Sequence, residues 1–272
     1  MVTSIPLRDG ASIPAIGFGV YKVDDTEAES AVGTALDAGY RHVDTAEMYG
    51  NETGVGKAIR ASSLDRDDVF VTTKVWNDHQ GRDATLQAFD DSVARLGLDT
   101  VDLYLIHWPA AARDRYVETW RTLVELRESG RARSVGVSNF QVEHLQRLVD
   151  ETGEVPALNQ VEHHPWLPQR ELIAFHQQHG IATGAWSPLG RGRLIDEPVL
   201  TGIADAHGVS VAQVLVRWNV QQGVVVLPKS VTPSRIRSNL DVDGFVLTDE
   251  ELAAIATLES GQRTGSHPDA VS

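Results

Sequence analysis

Short apolar runs alternate along the chain with longer segments in which apolar residues recur at helical spacing. The short runs predict buried strands, and the longer segments, several of which end at a glycine, predict amphipathic helices. The predicted strands are Ala15–Val20, Arg41–Val43, Val69–Val75, Val101–Ile106, Ser134–Val137, Ala157–Val161, Ile181–Trp186 and Val224–Leu227. The predicted helices are Asp25–Ala38, Glu52–Ser62, Asp83–Leu96, Tyr116–Ser129, Gln141–Glu151, Gln169–His179, Pro198–His207 and Val211–Gln221.

This repetition predicts an α/β fold in which right-handed crossovers join parallel strands. Eight predicted strands suit a closed (β/α)8 TIM barrel, although periodicity alone does not separate a barrel from an open doubly wound sheet. Ahead of the first strand, Ser4–Pro14 is predicted to be a β-hairpin that turns at Asp9-Gly10. Because no linker, low-complexity run or internal repeat interrupts the sequence, we expect a single domain over residues 1–272.

Composition narrows the classes of function. The chain has 42% hydrophobic residues, enough for a full-sized core, and a net charge of −14, which argues against general affinity for nucleic acid or an anionic membrane. It has no cysteine, which excludes disulfides, thiolate metal ligands and a cysteine nucleophile. The first residues lack the apolar stretch of a signal peptide, and no apolar run approaches the roughly 20 residues that span a bilayer. We therefore expect a cytoplasmic protein.

Four polar residues stand at or just beyond the carboxyl ends of predicted strands, where parallel strands present groups to a ligand-binding rim. Taken singly, each has an ordinary structural explanation, such as a turn cap or a hydrogen-bonded core imidazole. Together they supply a carboxylate, a phenol, an ammonium and an imidazole, a set suited to tuning and delivering a proton. The four residues are Asp44, Tyr49, Lys74 and His107.

A basic, hydroxyl-rich turn follows the last predicted strand and runs into a short helix. Lys229, Ser230, Thr232 and Arg235 lie in this segment of an otherwise acidic chain. A helix start offers backbone N–H groups and the positive end of its dipole to phosphate, and lysine and arginine add charge. The segment therefore predicts a phosphate site.

Six motifs in register make the chain resemble the aldo-keto reductases over nearly its whole length. The resemblance is strongest to the compact bacterial branch that includes the 2,5-diketo-D-gluconate reductases, to which the tail Arg263–Asp269 is also similar. The motifs are Gly17-Phe-Gly19, Gly39-Tyr-Arg-His-Val-Asp44-Thr-Ala-Glu-Met-Tyr49-Gly-Asn-Glu52, Val71-Thr-Thr-Lys74-Val-Trp76, Val101-Asp-Leu-Tyr-Leu-Ile-His107-Trp-Pro109, Gly136-Val-Ser-Asn-Phe140 and Leu227-Pro-Lys-Ser230. The resemblance implies a single (β/α)8 barrel that binds NADPH without a Rossmann domain. Gly17-Phe-Gly19 indeed lacks the third glycine of a dinucleotide fingerprint.

The resemblance also implies carbonyl reduction, in which hydride adds to carbon and a proton to oxygen. Tyr49 matches the proton donor, and we expect Lys74, held by Asp44, to lower the pKa of its phenol from about 10 toward neutrality. His107 would orient the carbonyl oxygen and stabilise its developing charge.

Other positions match the cofactor site and the substrate pocket of the family. Ser138, Asn139 and Gln160 would bind the carboxamide, Trp186 would stack on the nicotinamide, and Ser187, Leu189, Gly190 and Gly192 would hold the pyrophosphate. The 2′-phosphate of NADPH would be bound by Lys229, Ser230, Thr232 and Arg235, with Val231 in the same turn. The adenine would be bound by Asn239. Ser238 stands where many relatives have an adenine-contacting glutamate. Tyr21, Trp76, His107 and Trp108 match the substrate pocket.

The substrate expected from the sequence is a small aldehyde, ketone or dicarbonyl. We expect a small, open pocket and a monomeric protein. Three alternatives remain open at this point. One is an NADPH-binding sensor without turnover, and another is a Schiff-base lyase that uses Lys74. The third is a metal hydrolase with ligands from His42, Asp44 and Glu162-His163-His164, which is weak because adjacent strand residues point in opposite directions.

Overall fold

Eight parallel strands close into a barrel in the computed structural model, which describes residues 3–272. Neighbouring strands follow chain order from β3 to β10, and the two ends of the sheet are joined by backbone hydrogen bonds, from Val226 N to Ala15 O (2.8 Å) and from Gly17 N to Val226 O (2.9 Å). This closure confirms the barrel and excludes the open sheet. The strands are β3 (Phe18–Gly19), β4 (His42–Asp44), β5 (Phe70–Val75), β6 (Val101–Ile106), β7 (Ala132–Ser138), β8 (Leu158–Glu162), β9 (Ala182–Trp186) and β10 (Val225–Val226).

Helices follow every barrel strand. Their bounds agree with the predicted ones to within a residue or two, whereas β3 and β10 are shorter than predicted because the barrel closes there through a single bridge between Ile16 and Val226. Two helices, α7 before β10 and α10 near the end of the chain, are additional to the repeating unit. The helices are α1 (Asp25–Ala38), α2 (Glu52–Ala61), α3 (Arg82–Leu96), α4 (Tyr116–Glu128), α5 (Val142–Thr152), α6 (Arg170–His179), α7 (Pro198–His207), α8 (Val211–Gln221), α9 (Pro233–Leu240) and α10 (Asp249–Ala256).

The predicted N-terminal hairpin closes one end of the barrel. It consists of β1 (Ser4–Pro6) and β2 (Ser12–Pro14), and its turn uses Gly10 at φ +90°, a conformation that favours glycine. Ile13 is fully buried and belongs to the apolar cluster that contains Leu103 and Leu105 of β6. Since this cluster fills the amino-terminal end of the barrel, ligands are left the carboxyl ends of the strands.

No single helix within residues 3–272 is long and apolar enough to cross a bilayer. One bent pair, α7 with α8 at 90°, reaches the length and apolar composition of a membrane-spanning segment when the two helices are taken together.

Three buried histidines make the stability of the fold depend on pH. Burial lowers the pKa of His42 and of His163 to about 4, and that of His176 to about 3. In the unfolded chain these rings titrate near 6.5, so the unfolded state binds more protons as the pH falls below about 6.5. We predict that the free energy of unfolding, measured with urea, is highest above this pH and decreases steadily towards pH 4.

His176→Gln tests the assignment. His176 bonds Asn159 and Thr183 inside the barrel wall, so the variant should be less stable at pH 7 but should lose less stability on acidification. The exposed His267→Gln variant is the control and should keep the native slope. An unchanged slope in His176→Gln would contradict this explanation.

Candidate active site

A cavity of about 760 Å³ opens at the carboxyl ends of the barrel strands, where β/α barrels bind ligands. Every barrel strand except β5 contributes to its wall, directly or through the loop that follows it. The residues that line it and that the sequence had predicted are Tyr21, Asp44, Tyr49, His107, Trp108, Ser138, Asn139, Gln160, Trp186, Ser187, Leu189, Gly192, Lys229, Ser230, Arg235, Ser238 and Asn239. The predicted site is therefore one continuous cavity.

Asp44 and Lys74 form a buried ion pair at the base of this cavity. Nζ of Lys74 lies 2.6 Å from Oδ1 of Asp44 and donates a second bond to the backbone oxygen of Thr45 at 2.8 Å. The other carboxylate oxygen, Oδ2, accepts a bond from Nε2 of Gln160 at 2.7 Å. The Lys74 side chain is fully buried beneath the cavity, so its ammonium acts on the site only through its field and through Asp44.

Tyr49 lies above this pair on a single 3-10 turn, Glu47–Tyr49, that ends at Gly50. Nζ of Lys74 is 5.3 Å from the centre of the Tyr49 ring, and the ring of His107 is 5.6 Å away. Burial raises the pKa of Tyr49 well above 10, and the charge of Asp44 raises it further. The shift is therefore opposite to the lowered pKa that we expected, because burial and the charge of Asp44 both act against ionisation of the phenol.

His107 follows β6 and is also neutral at ordinary pH. Burial, with the nearby charge of Lys74, lowers its pKa well below 6.5. Its Nδ1 is buried and has no hydrogen-bond partner within residues 3–272, while the ring itself borders the cavity. Trp76, a predicted substrate residue, packs edge-on against the imidazole at 5.2 Å but lies outside the cavity lining.

An amide-rich cluster fixes one wall. Asn139 has a left-handed backbone (φ 65°) and its Nδ2 donates to the backbone oxygen of His107 (2.9 Å) and to Oγ of Ser138 (3.1 Å). Its Oδ1 accepts a bond from Nε1 of Trp186 at 2.8 Å. The indole, the asparagine and Gln160 are thus oriented by the protein itself, with Oε1 of Gln160 left without a bond from residues 3–272.

Four cations line the cavity of this acidic protein, against one acid, Asp44, which is already paired. Lys229 and Arg235 come from the predicted basic turn, and within the described part of the chain neither makes a side-chain hydrogen bond or ion pair. Sequence reasoning missed the other two, Lys22 and Arg191. Lys22 follows Tyr21 in the sequence, and Arg191 stands between Gly190 and Gly192 of the loop after β9. Sequence reasoning also missed the lining residues Pro188, Met48, Ile195 and Ser210–Ala212. Three predicted residues do not line the cavity: Gly190 is buried, and Val231 and Thr232 are exposed outside it.

The donors of the predicted metal alternative do not converge. Nδ1 of His163 bonds Asn219, its ring stacks on Trp218, and Nε2 of His164 bonds Glu162. The lysine of the lyase alternative lies outside the cavity lining.

Comparison with known proteins gives a consistent result. The model described as "Aldo/keto reductase family" matches residues 15–260. The chain is 54% identical over 268 residues to an aldo-keto reductase of Mycolicibacterium smegmatis, covering 98% of both chains. It is 48% identical over 269 residues to the methylglyoxal reductase DkgA of Escherichia coli, covering 98% of this chain and 97% of that one.

Solved structures agree in fold. An aldo/keto reductase from Brucella melitensis superposes with a TM-score of 0.93 at 51% identity, covering 95% of this chain and all of that one. A variant of Gox0644 in complex with NADPH superposes with a TM-score of 0.96 at 46% identity, covering 100% of this chain and 99% of that one.

The ion pair makes a prediction about stability. Asp44→Asn leaves the ammonium of Lys74 buried without its counter-charge, so the free energy of unfolding should fall by about 3–5 kcal/mol. Adding Lys74→Met removes the uncompensated charge and should restore most of the loss. A single Asp44→Asn variant that unfolds in urea within about 1 kcal/mol of the native protein would contradict the pairing.

Proposed function

The chain belongs to the aldo/keto reductase family, and we propose that it reduces small carbonyl compounds to alcohols with Tyr49 as the proton donor. Family membership makes it an oxidoreductase that uses NADP(H). The observation that carries the proposal is the lining of a single cavity. It combines cations that have no hydrogen-bond or ion-pair partner in the described chain with a neutral phenol and a neutral imidazole above a buried ion pair.

The residues present fit an extended cofactor with a pyrophosphate and a separate 2′-phosphate. Lys229 and Arg235, beside the start of α9, would bind the 2′-phosphate, and Asn239 would contact the adenine. Lys22 and Arg191 lie where they would neutralise the pyrophosphate together with the loop after β9. Gln160 would accept a hydrogen bond from the carboxamide through Oε1, and Trp186 would stack on the ring.

NADPH supplies the hydride, and the remaining chemistry falls to the protein. As hydride adds to carbon, charge develops on the carbonyl oxygen, and neutral His107 would donate a hydrogen bond to it. Tyr49 would then transfer its proton, because an alkoxide is a stronger base than a phenolate. The phenol of Tyr49 is protonated at neutral pH, so it has this proton to donate.

The walls near Tyr49 suit a small substrate with polar and apolar faces. Tyr21, Met48, Trp108 and Ile195 line this part of the cavity. We propose small aldehydes, ketones and dicarbonyls as substrates, and the similarity to the E. coli methylglyoxal reductase makes methylglyoxal the first compound to assay. Because one chain supplies the whole site, we also propose that the protein is a monomer with a single domain. We propose that it acts in the cytoplasm, where NADPH is the available reductant.

Tyr49→Phe is the direct test of the proton donor. The variant keeps the ring but removes the proton, so kcat with methylglyoxal should fall about 10²–10⁴-fold, with NADPH affinity unchanged in a fluorescence titration. Tyr116→Phe, which removes a remote phenol of α4, is the control and should keep full turnover. Near-native turnover of Tyr49→Phe would refute the assignment, and NADPH binding without oxidation by the native protein would indicate a sensor.

The pH profile separates a raised from a lowered pKa of Tyr49. Tyr49 stays protonated above pH 10 and His107 stays neutral down to below pH 6.5, so kcat/KM for reduction should be flat from about pH 6.5 to about pH 10. An alkaline limb near pH 8 that disappears in Tyr49→Phe would show instead that Lys74 lowers the phenol pKa.

Selectivity for the 2′-phosphate is predicted to depend on the basic turn. Replacing both Lys229 and Arg235 with glutamine should raise the Kd for NADPH by about ten-fold or more, because each substitution removes a charge-assisted bond to the 2′-phosphate. The Kd for NADH, which lacks this phosphate, should barely change. Arg237→Gln, on the same helix but outside the cavity lining, is the control. Equal weakening of both cofactors would contradict the proposed position of the phosphate.

A further inference from the structure

Glu162 is a buried carboxylate at the carboxyl end of β8 that the proposed chemistry does not use. Its side chain is fully buried and lies outside the cavity lining. Oε1 accepts bonds from the backbone N of Thr264 (2.6 Å), from Oγ1 of Thr264 (2.5 Å) and from the backbone N of Gly265 (3.2 Å). Nε2 of His164 lies 3.0 Å from the same oxygen. Most donors to this carboxylate therefore come from a segment about a hundred residues later in the chain.

Glu162 is ionised whenever the protein is folded near neutral pH. Burial acts to raise its pKa, but the bonds from His164 and Thr264 outweigh burial and lower the pKa to about 2. Hydrogen bonds to an ionised acceptor are stronger than bonds between neutral groups. The anion is thus a firm anchor for residues 264 and 265.

The anchored segment, residues 260–272, crosses the rim of the barrel as a strap. It starts with the backbone N atoms of Ser260 and Gly261, which donate to the backbone oxygen of Trp166 after β8. Its other end reaches the loop after β5, where Nδ2 of Asn77 donates to the backbone oxygen of Ser272 at 3.3 Å. Between these ends, Glu162 is its central attachment.

Where Glu162 holds it, the strap packs against Trp186. A methyl group on Gly265 would lie only 2.5 Å from Cη2 and 3.0 Å from Cζ3 of the indole, so the backbone itself contacts the six-membered edge. The opposite edge is fixed by the bond from Nε1 to Asn139. Glu162 and Trp186 are also direct partners in the pairing of β8 with β9. The ring is therefore held at both edges, and the support at its six-membered edge depends on Glu162.

We propose that Glu162 is a positioning residue for the nicotinamide end of the cofactor: it holds the strap that fixes the Trp186 ring. This inference rests on the proposed function, in which Trp186 stacks on the nicotinamide. Glu162 itself touches neither the cofactor nor the reacting atoms.

Glu162→Gln tests the proposal because it keeps the shape of the side chain, removes the charge that strengthens these bonds, and places an NH2 group where Oε2 accepts from the backbone N of Gly265 at 3.3 Å. Two ligands are titrated: NADPH, and 2′,5′-ADP, which contains the phosphate end of the cofactor without the nicotinamide. We expect the Kd for NADPH to rise about ten-fold, as misplacement of a binding group can cost this much or more, and the Kd for 2′,5′-ADP to stay unchanged. Gly265→Ala, which displaces the same contact, should show the same pattern, and trypsin should cleave after Arg263 faster in Glu162→Gln than in the native protein.

Asp102→Asn is the matched control for loss of a buried carboxylate. Asp102 bonds Arg66, Arg133 and the backbone N of Val71 near the amino-terminal end of the barrel, away from the cavity. The variant should be less stable but should bind both ligands as the native protein does. If Glu162→Gln weakens both ligands equally, its role is merely structural and the proposal is overturned.

Trp186→Ala separates failure of this inference from failure of the proposed function. Weaker NADPH binding in Trp186→Ala but not in Glu162→Gln would overturn the role of Glu162 and leave the stacking intact. Unchanged NADPH binding in Trp186→Ala would refute the stacking, and the positioning role with it. Selective weakening of NADPH in both variants supports the proposal.

Discussion

The carboxylate of Asp44 organises the mouth of the barrel. One oxygen binds the ammonium of Lys74 on β5 and the other binds the amide of Gln160 on β8, so a single side chain connects three strands. A lysine buried this deeply is stable as a cation only with a counter-charge and further acceptors, which Asp44 and the backbone oxygen of Thr45 provide. The cavity that would hold the proposed cofactor and substrate lies above this pair.

This pairing decides the electrostatics of the site. Burial keeps both Tyr49 and His107 uncharged, and each member of the pair adds to this effect: the carboxylate of Asp44 disfavours the phenolate, and the ammonium of Lys74 disfavours the imidazolium. The cavity lining thus offers two kinds of group, neutral hydrogen-bonding groups and cations without partners in the described chain. The cations suit a dianionic phosphate, and the neutral groups suit a carbonyl that gains charge only during reaction.

The sequence predicted those features that depend on local pattern. Periodicity and glycine positions gave most helix bounds, and the ends of buried strands identified Asp44, Lys74 and His107 as neighbours. Features that depend on distant contacts were missed. The direction of the Tyr49 pKa shift depends on burial, and the cavity-facing positions of Lys22 and Arg191 follow from loops in which both residues have left-handed backbones. The bonds between Glu162 and residues 264 and 265 join parts of the chain that no short motif connects.

A crystal structure of the NADP⁺ complex tests the central claim most directly. The account predicts that the 2′-phosphate contacts Lys229 and Arg235, that the carboxamide meets Gln160, and that the nicotinamide lies on Trp186 with its reactive face towards Tyr49 and His107. A nicotinamide bound away from Tyr49, or a 2′-phosphate that contacts neither Lys229 nor Arg235, would contradict it.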